Sequence, residues 1–404
     1  MLGLGMTFCF VGLLSSCSGP ASRRVEERTV RVSSGEAIGV LRVGRGDEAV
    51  VLLAGNNCSG EAFRELLCRV AARADVYNRY TFYALDYRGS GRSTYHHPIT
   101  SLDDFAADFA EVIESDSCLR RGDLTLVGHS MGFGVAQCLA VRSRASVSRL
   151  ISLAGIGTRG VRVMFSPTTG GTDPQTGKHY ALGDWADSID AVAFQQRSLW
   201  GEQRSPEDMA AAWNLVVFNE VLAYDLARMS VGDPAYLETP AYRAVLEDVQ
   251  KTQYMPESLY ASHMFNFAAE TLSHRNQDGA VVTLPGADRL DALAGLDVLL
   301  VKAETDRLRW RGDLVIADSI TQNTKYDLRV AGANVTAVML KSGRGYDHGF
   351  PIHRPAETLQ LITAFVEAGT MDRSAAAAIF GSDDVAVVYS TDERDWERET
   401  YGGF

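Results

Sequence analysis

Between residues 49 and 160, short apolar runs alternate with stretches whose apolar residues fall on one helical face. Ala49–Leu53, Phe82–Leu85, Leu124–Val127 and Leu150–Leu153 read as buried strands. Between them, Glu61–Arg73 sets Leu66, Leu67 and Val70 on one face, Leu102–Ile113 forms a second amphipathic helix, and another helix begins at Met131. Each crossover is long enough to return the chain to the same edge of a sheet, so the rhythm predicts an α/β fold with a doubly wound, mostly parallel sheet. Upstream, Thr29–Val43 reads as strands turning at Ser33-Ser34-Gly35.

The rhythm stops after Gly160. Residues 161–286 carry no convincing buried strand and are rich in aromatics, among them Trp185, Trp200, Trp213, Tyr254 and Phe265. It resumes with a strand at Val298–Val301, a helix near Leu314–Ala331, a strand at Val335–Leu340 and a helix at Pro355–Ala368. The organisation that follows is a leader over 1–28, a core over 29–160 and 287–370, a helical cap inserted at 161–286, and a tail at 371–404. The tail holds an Ala-rich helix and the apolar stretch Val385–Tyr389, to which the sequence attaches no function.

The residues that carry chemistry lie at strand ends. Gly128-His129-Ser130-Met131-Gly132 follows a strand and opens a helix, the context in which G-x-S-x-G lifts a serine hydroxyl above the sheet. Ser130 is the candidate nucleophile, and the N–H of Met131, at the helix start, is a candidate oxyanion donor. A serine needs a base, and the base needs an acid to orient it. The chain order Ser, acid, His leads to Lys302-Ala303-Glu304-Thr305-Asp306 after one strand, with Asp306 the candidate acid and Glu304 its rival. After the next strand, glycine-flanked His348 is the candidate base; His353 and Asp347 are weaker choices for base and acid. The second oxyanion donor falls in Ala54-Gly55-Asn56-Asn57, where the N–H of Asn56 holds the expected position.

These residues resemble the α/β-hydrolase superfamily. Leu53-Ala54-Gly55-Asn56 stands in place of its His-Gly-x motif, with Ala54 where the family usually has His. Asp86-Tyr87-Arg88-Gly89-Ser90-Gly91-Arg92-Ser93 matches its D-x-R-G-x-G-x-S loop. A looser likeness, through Ser93–Ile99, Ser101–Phe105, Gly157–Gly160 and Ala212–Asn214, is to the Bacillus-type intracellular polyhydroxybutyrate depolymerases. The resemblance implies a carboxylic ester hydrolase working through an acyl-enzyme, on a small-molecule or oligomeric ester, without metal or organic cofactor. An acyltransferase or a carbon–carbon bond hydrolase would use the same three groups, and a catalytically inactive binding protein would keep only the fold.

Charge and cysteines bound the partners. A formal net charge of −12 argues against nucleic acid, which needs clustered Lys and Arg. The six cysteines show no CxxC pair, suggesting neither a zinc site nor a disulfide framework. Leu2–Leu14 is of signal-peptide size and leads into Leu14-Ser15-Ser16-Cys17, which resembles the lipobox of bacterial lipoproteins, although no Lys or Arg precedes it. That pattern implies export and membrane anchoring through Cys17; a leader that stays uncleaved on a cytoplasmic protein is the alternative.

Overall fold

The computed structural model describes residues 23–99, 101–143, 146–158, 170–181, 194, 239–249, 251–253, 274–275, 281–282, 291–303, 307–310, 313–316, 324–329, 331–341, 346 and 348–389. Its main sheet has nine strands: β1 (Glu26–Arg31), β2 (Ala37–Gly44), β3 (Glu48–Leu53), β4 (Tyr80–Leu85), β5 (Leu124–His129), β6 (Val147–Leu153), β7 (Asp297–Ala303), β8 (Asn334–Leu340) and β9 (Val385–Tyr389). They lie in the order β1-β2-β4-β3-β5-β6-β7-β8-β9. Pairing is parallel from β4 through β3, β5, β6 and β7 to β8, and antiparallel where β1, β2 and β9 complete the edges.

The central strands are apolar on both faces because both faces are covered. Leu124, Leu126 and Val127 of β5 are buried, as are Val50 to Leu53 of β3. Each fully buried Leu or Val contributes about 1.5–3 kcal/mol relative to exposure. Helices among the described residues include α1 (Arg64–Ala72), α2 (Ala74–Arg79), α3 (Leu102–Ser115), α4 (Met131–Arg142), α5 (Pro240–Val249), α6 (Phe350–His353), α7 (Pro355–Ala368) and α8 (Arg373–Phe380). A reciprocal capping box between Ser101 and Asp104 starts α3. Gly369, at φ 70°, ends α7 in the left-handed conformation. The outer strand β1 is mostly exposed and carries Glu26, Glu27, Arg28 and Arg31, which discourage a further strand from pairing there.

Three expectations change. Leu314 does not begin a helix: Asp313–Ile316 pairs antiparallel with Arg307–Trp310, and the described residues 324–329 are helical. A short apolar run such as Leu314-Val315-Ile316 fits strand or helix equally by period. Within the insertion, α5 is accompanied by two-residue ladders, Gly171–Thr172 with His179–Tyr180 and His274–Arg275 with Val281–Val282. The apolar stretch of the tail is β9, which extends the sheet beyond β8. One thiol also departs from the expected pattern. Cys68 is disulfide-bonded, whereas Cys58, Cys118 and Cys138 are free. Among the described residues, no helix is long and apolar enough to cross a membrane.

Candidate active site

Ser130 lies between the end of β5 and the first residue of α4, at φ 53° and ψ −124°. A non-glycine residue held there is strained by on the order of 1–3 kcal/mol and persists only where its surroundings enforce it. Those surroundings are explicit. The Ser130 N–H donates to the Leu153 carbonyl (3.1 Å), and the Ser130 carbonyl accepts from the N–H groups of Phe133 (3.1 Å) and Ile156 (2.9 Å). Gly128 and Gly132 are required by packing: a Cβ on Gly128 would collide with the Phe133 backbone, and one on Gly132 with the Leu53 and Ala54 carbonyls. Met131, buried at 1% exposure, is the first residue of α4, so its N–H has no acceptor one turn earlier in the helix.

The loop after β3 runs against this elbow. A Cβ on Gly55 would sit 3.2 Å from Ser130 Cβ and 3.1 Å from His129 Nδ1, a crowding that glycine avoids. The Cys58 N–H donates to the Gly55 carbonyl (3.1 Å), closing a turn with Asn56 and Asn57 at its centre. Asn57 takes φ 65°, a conformation Asn tolerates better than most residues. Its carboxamide is buried, and neither the oxygen nor the nitrogen has a hydrogen-bond partner among the described residues. Asn56 is half-buried within this turn.

His348 is 7% exposed and is joined to the elbow through its backbone. His129 Nε2 donates to the His348 carbonyl (2.8 Å), and the two rings lie 5.2 Å apart. A carbonyl only accepts, so this bond fixes the proton of the neutral His129 ring on Nε2. Behind His348, Tyr346 packs edge-on against Phe380 of α8, with ring centroids 5.4 Å apart, and against Phe350 of α6. The tail thus braces the loop that carries the candidate base. His353, the weaker histidine, turns back on its own helix, its Nδ1 2.9 Å from the Gly349 carbonyl. Asp306, Glu304 and Asp347 lie outside the described residues, as does Cys17.

The loop Asp86–Ser93 is a brace. The Asp86 carboxylate accepts from the N–H groups of Gly60 and Arg92, both at 2.8 Å. Burial pushes this carboxyl up, against the pull of the Arg92 N–H and charge. Arg88 grips Asp108 of α3 through two bonds of 2.8 and 2.9 Å, both side chains buried. The Tyr87 hydroxyl donates to the Ala54 carbonyl (2.6 Å), and the Ser93 hydroxyl ties the Asp86 carbonyl to the Gly39 N–H. Among the described residues, no cluster of His, Cys, Asp or Glu is placed to hold a metal ion.

The strand order, the left-handed serine between β5 and α4, and the histidine loop after β8 form one architecture. The family profile for the alpha/beta hydrolase fold matches residues 48–217. The chain has the α/β-hydrolase fold. Solved structures agree on the fold. An esterase from Exiguobacterium antarcticum superposes with a TM-score of 0.52 at 16% identity, over 85% of this chain and 100% of that one. A bromoperoxidase from Bacillus anthracis superposes with a TM-score of 0.51 at 15% identity, over 85% and 100%. No curated protein matches the chain in sequence.

Four residues of this candidate site escaped sequence reasoning. His129 was read only as the variable position of G-x-S-x-G, and Tyr87 only as the variable position of its loop. Asp248 and Thr252 of the insertion reach the turn after β3 from more than 180 residues away, with no local signal to mark them.

Proposed function

We propose that the chain is a serine hydrolase that cleaves carboxylic esters through an acyl-enzyme. The observation that carries this reading is Ser130 itself, held in a strained conformation at a helix start, packed against Gly55 of the loop after β3 and next in sequence to His129, which bonds the His348 carbonyl. Such strain is retained where a side chain must be presented rather than packed. In this scheme Ser130 Oγ attacks the ester carbonyl while His348 accepts its proton. His348 then protonates the leaving alcohol, and Asp306 orients the imidazole. The N–H groups of Asn56 and Met131 hold the oxyanion. Water, deprotonated by His348, attacks the acyl-enzyme, releases the acid and restores the serine.

The fold brings no preference among esters, but the aromatic insertion favours an apolar acyl or alcohol group, including those of short hydroxyacid oligomers. The apolar start of the chain supports export, and a disulfide at Cys68 fits an oxidising compartment. The deciding experiment compares wild type with Ser130→Ala on p-nitrophenyl esters and on a fluorophosphonate probe. Wild type turns over esters and is labelled; the variant, with an unchanged circular dichroism spectrum, does neither. Persistent labelling of the variant rejects Ser130 as nucleophile.

A further inference from the structure

Residues 54–60, which carry the proposed oxyanion donor, are held from two sides. The core holds the ends, through Tyr87 on the Ala54 carbonyl and Asp86 on the Gly60 N–H. The insertion holds the middle. The Ser59 N–H donates to Asp248 Oδ2 at the end of α5 (3.0 Å), and the Thr252 hydroxyl donates to the Asn57 carbonyl (3.0 Å). Just beyond, the Gln253 N–H donates to the Gly89 carbonyl (2.9 Å). Asp248 and Thr252 are 7% and 3% exposed.

A carboxylate is an expensive choice at this spot. Burial pushes the Asp248 carboxyl up to about 6, against the Ser59 hydrogen bonds, and the nearby Asp86 and Glu61 carboxylates push the same way. Glu61 is itself paired with Arg64 and Arg92. The adjacent Cys58 thiol, raised to about 12 by burial and by Asp248, stays neutral. An apolar side chain would fill the space without that cost. What it could not do is accept from Ser59. The two insertion contacts bracket Asn57 and Ser59, immediately after Asn56, so they set the turn on which the donor sits.

We propose that Asp248 and Thr252 are positioning residues through which the insertion fixes the Gly55–Cys58 turn, aiming the Asn56 N–H at the developing oxyanion. The proposal rests on the acyl-enzyme reading above. An oxyanion donor works only within hydrogen-bond reach of the oxygen as it becomes charged, so a slack turn loses transition-state stabilisation while substrate still binds. Docking of the insertion and assembly of the oxyanion site are then one event.

The test measures kcat and KM for p-nitrophenyl butyrate, and Ki for a trifluoromethyl ketone, whose adduct with serine places an oxyanion in the same site. Thr252→Val removes only the hydroxyl, and Asp248→Leu removes the acceptor. Each lowers kcat about tenfold with KM within about twofold, and raises the ketone Ki in proportion. Asp248→Asn, whose carbonyl oxygen still accepts from Ser59, stays within about threefold of wild type. If Asp248→Leu does not fold, Thr252→Val decides alone. Unchanged kcat and Ki in folded variants overturn the proposal, and so does a fall in kcat with unchanged Ki, which marks only an inactive fraction. If Ser130→Ala keeps wild-type turnover, the acyl-enzyme reading falls and takes this proposal with it; if it is dead while Thr252→Val is unaffected, this proposal alone falls.

Discussion

At the scale of single residues, the strain at Ser130 and the bond from His129 divide the work of presenting the proposed nucleophile and the proposed base. The serine is fixed by three backbone hydrogen bonds and two glycines, none of which depends on the histidine loop. The His348 loop is fixed by a side chain adjacent to that serine. Loss of the orienting acid should therefore leave both in place and show itself in rate alone. Asp306→Asn is expected to lower kcat by on the order of 10⁴, because the His348 tautomer and the imidazolium both lose support. Glu304→Gln should fall by less than about tenfold. Steady-state kinetics on the two variants separate the candidates, and a reversed pattern assigns the acid to Glu304. The placement of Ser130 and Met131 between β5 and α4, and of Asn56 and His348 beyond β3 and β8, was legible because each follows a strand and sits at a motif position. His129 and Asp248 were not, because a hydrogen bond to a distant backbone atom leaves no mark on the sequence around its donor or acceptor.

At the scale of elements, α5 is a described piece of the insertion that meets the core, with Tyr242, Val245 and Val249 buried in it. Its docking carries a titration. The Asp248 carboxyl, raised from 3.8 to about 6, releases its proton later in the folded state than in the unfolded chain. Between about pH 4 and 6 the unfolded chain therefore holds fewer protons, and stability declines as pH rises through that window. Above it the full cost of ionising the buried group remains, on the order of 3 kcal/mol. Asp248→Asn should consequently raise Tm at pH 8, and the gain should shrink toward zero at pH 4. Thermal melts at the two pH values check this; a variant less stable than wild type at pH 8 would mean that the charge holds α5 in place. A function retained against stability is the pattern expected of a positioning residue. The buried strands were readable as elements because their apolar runs are bounded by turn residues. The strand at Asp313–Ile316 was misread because its three apolar residues suit either period.

At the scale of the whole molecule, the mostly parallel sheet followed from the alternation of strands and helices, while β9 and the oxidation state of the cysteines did not, since both depend on contacts with segments distant in sequence. The cysteines bear on where the protein works. Of the six, Cys58, Cys118 and Cys138 are free and Cys68 is bonded, which leaves Cys9 and Cys17 as the sequence's remaining thiols. A lipoprotein processed at Leu14-Ser15-Ser16-Cys17 would discard Cys9 with its leader and commit the Cys17 sulfur to a thioether. Cys68 would then have no thiol left to pair with in its own chain. A lipidated Cys17 and a disulfide from Cys68 within the same chain are thus mutually exclusive, and one alkylation experiment reads both. Denatured protein treated with iodoacetamide without reduction should be modified at Cys58, Cys118 and Cys138 only. Prior reduction should add Cys68 and one further cysteine, with no diacylglycerol mass on any peptide. Modification of Cys68 without reduction, together with lipid on Cys17, would instead make the chain a membrane-anchored hydrolase that carries no disulfide.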